Sequence, residues 1–458
     1  MMDFRNKHVH FVGIGGISLS ALALFVLERG GVVTGSDLAK SRTTSRLERI
    51  GVKVYFSHEE HHVFGADMVV VSGAIDSNNP EVKAAMKNCI PIFTRAMLLA
   101  EIASEYKNVI TIAGSHGKTT TTGMVASCLL EAGLNPTIHI GGEMVSIGGN
   151  VRLGEKSFFV TEACEYKDSF LAFQNQMVSC VLNVQDDHMD YFKTRKNLQN
   201  SFQKYLKNTN KNGFLILNGD DEFLENVDFN AKIIRYGIKN KNVNVIAKNI
   251  RECRWSKFSF DLFINGERCA RIKLPCVGRH QIYNALATVS ICLSFGISID
   301  VIVRGLEKFS GIKRRFEDVG EINGAKVFHD YAHHPTEIQA NIKAAKKFTK
   351  GKLFVVFQPH TFSRTRDLWD DFLKCFEGAD EVCIFKIYPA RESPIDGISA
   401  ETLAQEIRDC GVNSTSFENY YDLFQMLMQH VCKYDIVLIL GAGDIENFCN
   451  YIKEEREI

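Results

Sequence analysis

Val109-Ile110-Thr111-Ile112-Ala113-Gly114-Ser115-His116-Gly117-Lys118-Thr119-Thr120 reads as the end of a buried strand, a glycine turn and the start of a helix. The β-branched apolar run favours a parallel strand, and the Gly/Ser/His turn stops it. Met124, Val125, Cys128 and Leu129 recur at helical spacing, and Gly133 and Pro136 mark the helix end. Such a strand–turn–helix is a phosphate cradle. Backbone N–H groups of the turn and of the helix N-terminus face an anion, Lys118 adds positive charge, and Thr119 offers a hydroxyl to Mg²⁺. The usual P-loop carries a glycine five residues before the Gly-Lys pair, where this chain has Ile112. The loop is thus a shortened Gly-x-His-Gly-Lys-Thr-Thr form. It predicts a nucleoside triphosphate held by Gly114, Ser115, His116, Gly117, Lys118, Thr119 and Thr120.

The rest of the chain accommodates this cradle within about three domains, since 458 residues divide at ~100–200 residues per domain. Lys plus Arg equals Asp plus Glu at 54 each, so no basic excess drives general nucleic-acid or membrane binding. No apolar run approaches the ~18 residues of a membrane span, and Asp3, Arg5 and Lys7 do not open a signal peptide. The 13 cysteines form no C-x-x-C pair. They read as reduced, mostly buried thiols of a cytoplasmic protein.

Outward from the cradle, the N-terminal segment repeats its theme. His8–Val12 is a strand, Gly13-Ile14-Gly15-Gly16 a turn, and Leu19–Arg29 a helix closed by Gly30-Gly31. A second strand, Val32–Thr34, leads to Asp37, about twenty residues past the glycines as in a dinucleotide fingerprint. Ser18 replaces the third glycine of G-x-G-x-x-G, which points away from NAD and toward a nucleotide or nucleotide-sugar. Alternation continues through Asp67–Ser72 and a helix from Arg95 to Ala103, and a boundary falls near residue 104.

Beyond the cradle, the strand Ser157–Thr161 stops at Glu162 in Glu162-Ala-Cys-Glu165. Cys180–Val184 stops at Asp186-Asp187-His188-Met189-Asp190. Ligands collect at the carboxyl ends of parallel strands, so these groups are expected to converge on the Lys118 loop and to ligate the hard cation that a triphosphate needs. Phe258–Ile264, Asn265-Gly266 and Arg268–Leu274 read as a hairpin with a type I′ turn, an antiparallel appendage. After Arg314-Arg315-Phe316 the chain alternates again through strands Leu353–Phe357, Glu381–Phe385 and Ile436–Leu440. This segment carries two polar clusters, Asp330-Tyr-Ala-His333-His334-Pro-Thr336 and Gln358-Pro-His360-Thr361-Phe-Ser-Arg364-Thr-Arg366. Paired histidines suit substrate handling or a metal, though carboxylates are not placed to close a zinc site.

In this order, Gly13–Gly16, Gly114–Thr120, Glu162–Glu165, Asp187–Asp190, Asn218-Gly-Asp-Asp221, Gly278-Arg-His280, Asn284, Arg315-Phe316, His333–Thr336 and Gln358–His360 resemble the muramyl ligases of peptidoglycan synthesis. The likeness runs from about residue 7 to 445. It implies an α/β protein of three domains: a Rossmann-like UDP-sugar domain (1–104), a central P-loop ATPase-type domain with the small antiparallel appendage (105–314), and a Rossmann-like amino-acid domain (315–458). Within the family the motifs are most similar to the alanine-adding branch. That implies ATP, Mg²⁺, UDP-N-acetylmuramate and L-alanine as the molecules handled, and a monomer or homodimer.

The resemblance also distributes roles. Gly13, Gly15, Gly16, Asp37 and Ser72 would hold the UDP-sugar, and His280 and Asn284 the adenine side of ATP. Thr119, Glu162 and His188 would hold magnesium. Lys118, His188 and Asp330 would serve the chemistry, and Tyr331, His333 and Arg364 the amino acid. Domain closure would bring the third cluster to the cradle and exclude water. Two positions depart from the family: Ser18 stands in place of a glycine, and Thr361 where many members carry arginine, leaving Arg364 to supply the charge. Lys204 is not assigned a carbamylated role. A ligase that attaches a whole peptide to the same sugar shares His333–Thr336 and stays an alternative, and a nicotinamide-dependent dehydrogenase is a more remote one.

Overall fold

The computed structural model describes residues 2–455 apart from 74, 230, 254–256 and 391, and gives only the backbone of Arg42 and Asp190. Three sheets organise the chain. The first is fully parallel, in the order β3-β2-β1-β4-β5, with β1 His8–Val12, β2 Val32–Ser36, β3 Lys53–Tyr55, β4 Met68–Val71 and β5 Ile92–Thr94. Each crossover carries a helix or helical turn, as parallel pairing requires.

The second sheet has ten strands in the order β15-β14-β13-β12-β11-β10-β6-β9-β7-β8. These are β6 Asn108–Ala113, β7 Thr137–Met144, β8 Gly149–Arg152, β9 Phe158–Glu162, β10 Gln176–Val181, β11 Thr209–Asn218, β12 Lys232–Gly237, β13 Val245–Glu252, β14 Lys257–Ile264 and β15 Glu267–Val277. The strand carrying the cradle, β6, lies between β9 and β10, parallel to both, with Ile112 level with Glu162 and Cys180. The predicted hairpin turn forms, with Asn265 at φ 48° and Gly266 at φ 90°. Its strands continue one edge of the central sheet rather than standing apart from it.

The third sheet runs β16-β17-β21-β18-β19-β20, with β16 Glu317–Ile322, β17 Ala325–Asp330, β18 Leu353–Phe357, β19 Glu381–Phe385, β20 Ser414–Phe417 and β21 Ile436–Leu440. Only β16 is antiparallel. The first two sheets belong to one compact unit, apart from residues 251–258 and 276–279, which are grouped in a second with the third sheet, from Gly311 onward. Within the first unit the apolar core is continuous: Phe25 packs on Phe159 with ring centroids 6.0 Å apart. The cradle helix, Lys118–Glu131, is buried on nearly every side, which explains its apolar and small residues. Each large apolar side chain it buries, Met124 and Leu129 among them, stabilises the fold by about 1.5–3 kcal/mol. Gly305 lets a second helix approach so closely that a Cβ there would lie 2.6 Å from Cys128 Cα. Among the described residues no helix is long and apolar enough to cross a membrane.

Candidate active site

The cradle turn is held from two sides. Gly117 caps the helix at φ 91°, a left-handed conformation that favours glycine, and an added Cβ would meet Asn284 Oδ1 at 2.6 Å. The segment after β10 clamps the other side. Asn183 accepts the His116 N–H at 2.9 Å and donates back to the His116 carbonyl at 3.0 Å, while the Ser115 hydroxyl bonds the Gln185 backbone. This clamp is why β10 spans Gln176–Val181 and not the expected Cys180–Val184. Leu182 and Val184 stay buried, but their backbone has turned beneath the loop.

Lys118 Nζ donates to the Gly114 carbonyl at 2.5 Å and to both oxygens of Glu165 at 3.0 Å. Burial opposes its charge, but Glu165, with Cys164 and Glu162 behind it, outweighs this and holds the ammonium above the ordinary lysine value. Thr119 donates its hydroxyl to Glu162 Oε2 at 3.0 Å, and the Gly141 N–H meets Glu162 Oε1 at 2.5 Å. His188 Nε2 lies 3.9 Å from Glu165 and 3.8 Å from Asp187. Ligand atoms of Glu165, Asp187 and His188 all fall within 4.8 Å of one another. The carboxyl ends of β6, β9 and β10 thus gather two oxygen-rich donor sets, Thr119 with Glu162 and Glu165 with Asp187 and His188, around one buried ammonium. The side chain of Asp190, grouped with them in the sequence, lies outside the described residues. Thr120, next along the helix, is buried.

His280 opens the helix His280–Ser294, and its Nε2 meets Gln281, whose Oε1 accepts from Asn284 at 2.9 Å. Asn284 is therefore fixed by its own helix with its Oδ1 against Gly117. The Asn218–Asp221 motif is a brace: Asn218 donates to the Leu182 carbonyl at 3.0 Å, and Asp221 accepts the Val184 N–H at 2.9 Å.

The first glycine turn collects the five residues expected there. A Cβ on Gly13 would touch Ser72 at 3.1 Å, and the Gly15 N–H donates to Asp37 Oδ2 at 2.9 Å. Gly16 caps the helix Ile17–Glu28. Ser18 finds a partner far along the chain: its hydroxyl lies 2.9 Å from His139 Nε2 and accepts from Arg95 at 3.3 Å.

In the second unit, Tyr331, His333, His360 and Arg364 cluster at the ends of β17 and β18. His333 Nδ1 sits 3.1 Å from the Tyr331 carbonyl, and Arg364 Nη1 lies 3.4 Å from His360 Nδ1. The guanidinium groups of Arg314 and Arg315 lie 5.5 and 5.7 Å from the Tyr331 ring centroid. Burial, reinforced by Arg364 and His333, lowers His360 to about 4. Asp330 is buried, and its oxygens accept the N–H groups of Phe316 at 2.8 Å and Ala332 at 2.9 Å. Burial pushes its carboxyl up against the opposing pull of Arg315. Thr361 takes φ 66° and caps the short helix holding Arg364.

Known proteins match the chain over most of its length. The Mur ligase family, catalytic domain matches residues 8–107, the Mur ligase middle domain 112–292, and the Mur ligase, glutamate ligase domain 314–443. A UDP-N-acetylmuramate–L-alanine ligase of Acetivibrio thermocellus is 42% identical over 443 residues, covering 96% of this chain and 94% of that protein. The chain belongs to the Mur ligase family. A relative of the same name from Clostridium kluyveri is 42% identical over 97% of both chains. A solved UDP-N-acetylmuramate–alanine ligase from Thermotoga maritima aligns at TM-score 0.83, with 27% identity over 99% of each chain. A murein peptide ligase from Psychrobacter arcticus shares the fold, with TM-score 0.74 and 23% identity over 98% of each chain.

Geometry adds to this Mur ligase several residues that spacing did not single out. Glu165 lies three residues past Glu162 in a turn, and only the folded turn aims it at Lys118. Asn183 and Gln185 act through the backbone of a loop. Glu392 fixes Ser363 by two bonds, at 2.7 and 2.5 Å, just before Arg364. His360, a motif residue without an assigned role, meets Arg364.

Proposed function

We propose that this chain joins L-alanine to the lactyl carboxylate of UDP-N-acetylmuramate at the expense of ATP, the first amino-acid addition to the cytoplasmic peptidoglycan precursor. The full-length, 42% identical relatives bearing that name carry the reading, and the Lys118 cradle supplies its chemistry. A carboxylate does not react with an amine in water, because oxide would have to leave. Transfer of the γ-phosphoryl group to a carboxylate oxygen gives an acyl phosphate and ADP. The alanine nitrogen then attacks the acyl carbon, loses a proton, and the phosphate departs with the C–O bond.

Lys118 and the turn N–H groups hold the phosphates and stabilise charge as the phosphoryl group moves. Thr119 with Glu162, and Glu165 with Asp187 and His188, are donor sets dominated by hard oxygen and suit Mg²⁺. Magnesium held there would offset repulsion between phosphate and carboxylate. His280 and Asn284 take the adenine side, and Gly13, Gly15, Gly16, Asp37 and Ser72 take the UDP-sugar. Tyr331, His333 and Arg364 take alanine, while Asp330 positions Tyr331 by holding the N–H groups of Ala332 and Phe316.

The test is release of ADP by the purified chain with UDP-N-acetylmuramate and each of several acceptors. L-Alanine should be used best, glycine and L-serine more slowly, and glutamate or a preformed tripeptide hardly at all. Preference for the tripeptide would move the chain to the recycling branch. Arg364→Ala should raise the KM for alanine by tens to hundreds of fold, the ~2–4 kcal/mol of a lost carboxylate–guanidinium contact.

A further inference from the structure

The N-terminal domain buries a carboxylate that no step above uses. Glu81, in the first turn of the helix Pro80–Lys87, has no side-chain exposure, yet four groups reach it. His10 Nε2 and His62 Nδ1 lie 3.1 Å from Oε1. The Ser36 hydroxyl, at 2.7 Å, and His58 Nδ1, at 2.6 Å, meet Oε2. Burial would raise its carboxyl, but bonds from His10, Ser36 and His58 prevail, and Glu81 is held below the ordinary glutamate value.

Ser36 connects this anion to the first glycine turn. Its carbonyl accepts the N–H groups of Gly13 at 2.8 Å and Ile14 at 2.9 Å, and the next residue, Asp37, holds the Gly15 N–H at 2.9 Å. The end of β2 that shapes the turn is therefore tied to Glu81 through one hydroxyl.

A second chain of bonds leads from Glu81 outward. His10 Nδ1 lies 2.7 Å from Thr34 Oγ1, His8 Nε2 lies 2.8 Å from the same oxygen, and His8 Nδ1 lies 3.1 Å from the Gly65 carbonyl. Gly65 C=O, His8, Thr34, His10 and Glu81 make four hydrogen bonds in series, and both ends only accept. Neutral His8, Thr34 and His10 carry one polar hydrogen each, which is one too few. One imidazole in the series therefore holds a second proton. Burial lowers His10 despite the raising influence of Glu81. Around this series Lys7 pairs with Asp67, which also accepts the His8 N–H. Tyr55 stacks on His62 at 3.9 Å, His61 lies edge-on to that ring, Glu59 pairs with His61, and Lys53 covers Tyr55.

We infer that Glu81 is a positioning residue for the nucleotide-sugar turn, its charge balanced by a proton shared along His8–Thr34–His10. This rests on the UDP-sugar reading of that turn. The alternative is a polar core that serves folding alone.

Steady-state kinetics and NMR of the full chain separate them. Glu81→Gln keeps the shape and removes the charge. It should raise the KM for UDP-N-acetylmuramate about tenfold, one charge-assisted bond's worth, with kcat and the KM for ATP unchanged. Ser36→Ala, which keeps the Glu81 carboxylate and its bonds from His10 and His62, should raise the same KM in the same direction if Glu81→Gln does not fold. In ¹⁵N spectra at pH 7, one imidazole should carry protons on both nitrogens in the wild type and lose one in Thr34→Val. Unchanged KM for the sugar, or equal losses in every kinetic constant, would overturn the positioning role. Imidazoles all neutral at pH 7 would overturn the shared proton. A wild type that releases no ADP with this sugar would instead sink the functional reading, and the NMR result would still stand.

Discussion

Two glycine turns in one compact unit follow the same plan of strand, turn and helix, yet differ in what meets their N–H groups. At Gly13–Gly16 a carboxylate, Asp37, already takes the Gly15 N–H, and the Ser36 carbonyl takes those of Gly13 and Ile14. At Gly114–Gly117 an ammonium reaches back into the turn, and the carboxylates nearby bind that ammonium and Thr119 instead of the turn. The glycine spacing is nearly shared; the charge beside it is not. A turn lined by a cation suits a polyanion, and a turn whose amides are held by a carboxylate suits the hydroxyls of a sugar.

The largest test of this contrast removes the cation. Lys118→Ala should cut turnover by roughly a thousandfold or more, the several kcal/mol of a transition-state charge contact, while the binding of UDP-N-acetylmuramate in a calorimetric titration stays put. Near-normal ADP release from the folded variant would end the distinction between the turns.

A smaller effect is expected where Thr119 is paired. Glu162→Gln keeps the side chain's shape but removes the one negative charge of the Thr119–Glu162 pair. The Mg²⁺ concentration for half-maximal activity should rise roughly tenfold or more, again with sugar binding unaltered. If sugar binding falls in parallel, the two turns do not divide the substrates.

How much of this was visible beforehand follows from the range of each interaction. Both turns, their strands and their helices are legible because apolar periodicity and glycine are local signals, and the first helix begins only two residues from where periodicity puts it. The convergence of Glu162 on the loop that carries Lys118 is legible too, since parallel strands aim their carboxyl ends together. Glu165 is not, because a turn decides which of two carboxylates faces the lysine. Ser18 and His139 are 121 positions apart and meet only through packing. Glu81 looks like an ordinary acidic residue in a first helical turn, and nothing within eight residues of it predicts His10 or Ser36.

Backbone freedom separates the glycines that cap the two helices by a few kcal/mol. Gly117 sits at φ 91° with Asn284 Oδ1 2.6 Å from an added Cβ, whereas Gly16 is at φ −64° with only the Gly13 carbonyl near, at 3.4 Å. Gly117→Ala should lower stability by about 1–3 kcal/mol. Gly16→Ala should be neutral or slightly stabilising, because its conformation is open to alanine. Urea midpoints for the two variants decide it; equal losses would mean that strain is not what distinguishes them.

The smallest expected effect is in pH. Behind the first turn, Ser18 leans on His139, which burial and the charge of Arg95 hold down to about 3. The unfolded chain binds that proton near the ordinary ~6.5, so between those values it carries more protons than the folded chain, and stability rises with pH. The benefit is complete above about pH 7 and is lost as pH falls toward 3. Between pH 7 and 6 it amounts to under about 1 kcal/mol, growing by about 1.4 kcal/mol per unit below that. Lys118, held above its ordinary value, is charged in both states across this range and contributes no slope. His139→Gln should therefore flatten the stability profile between pH 7 and 5, and Lys118→Met should leave its slope as it was. If His139→Gln leaves the slope intact, the imidazole is protonated in the folded chain, and the first turn rests on a charge-assisted bond of its own.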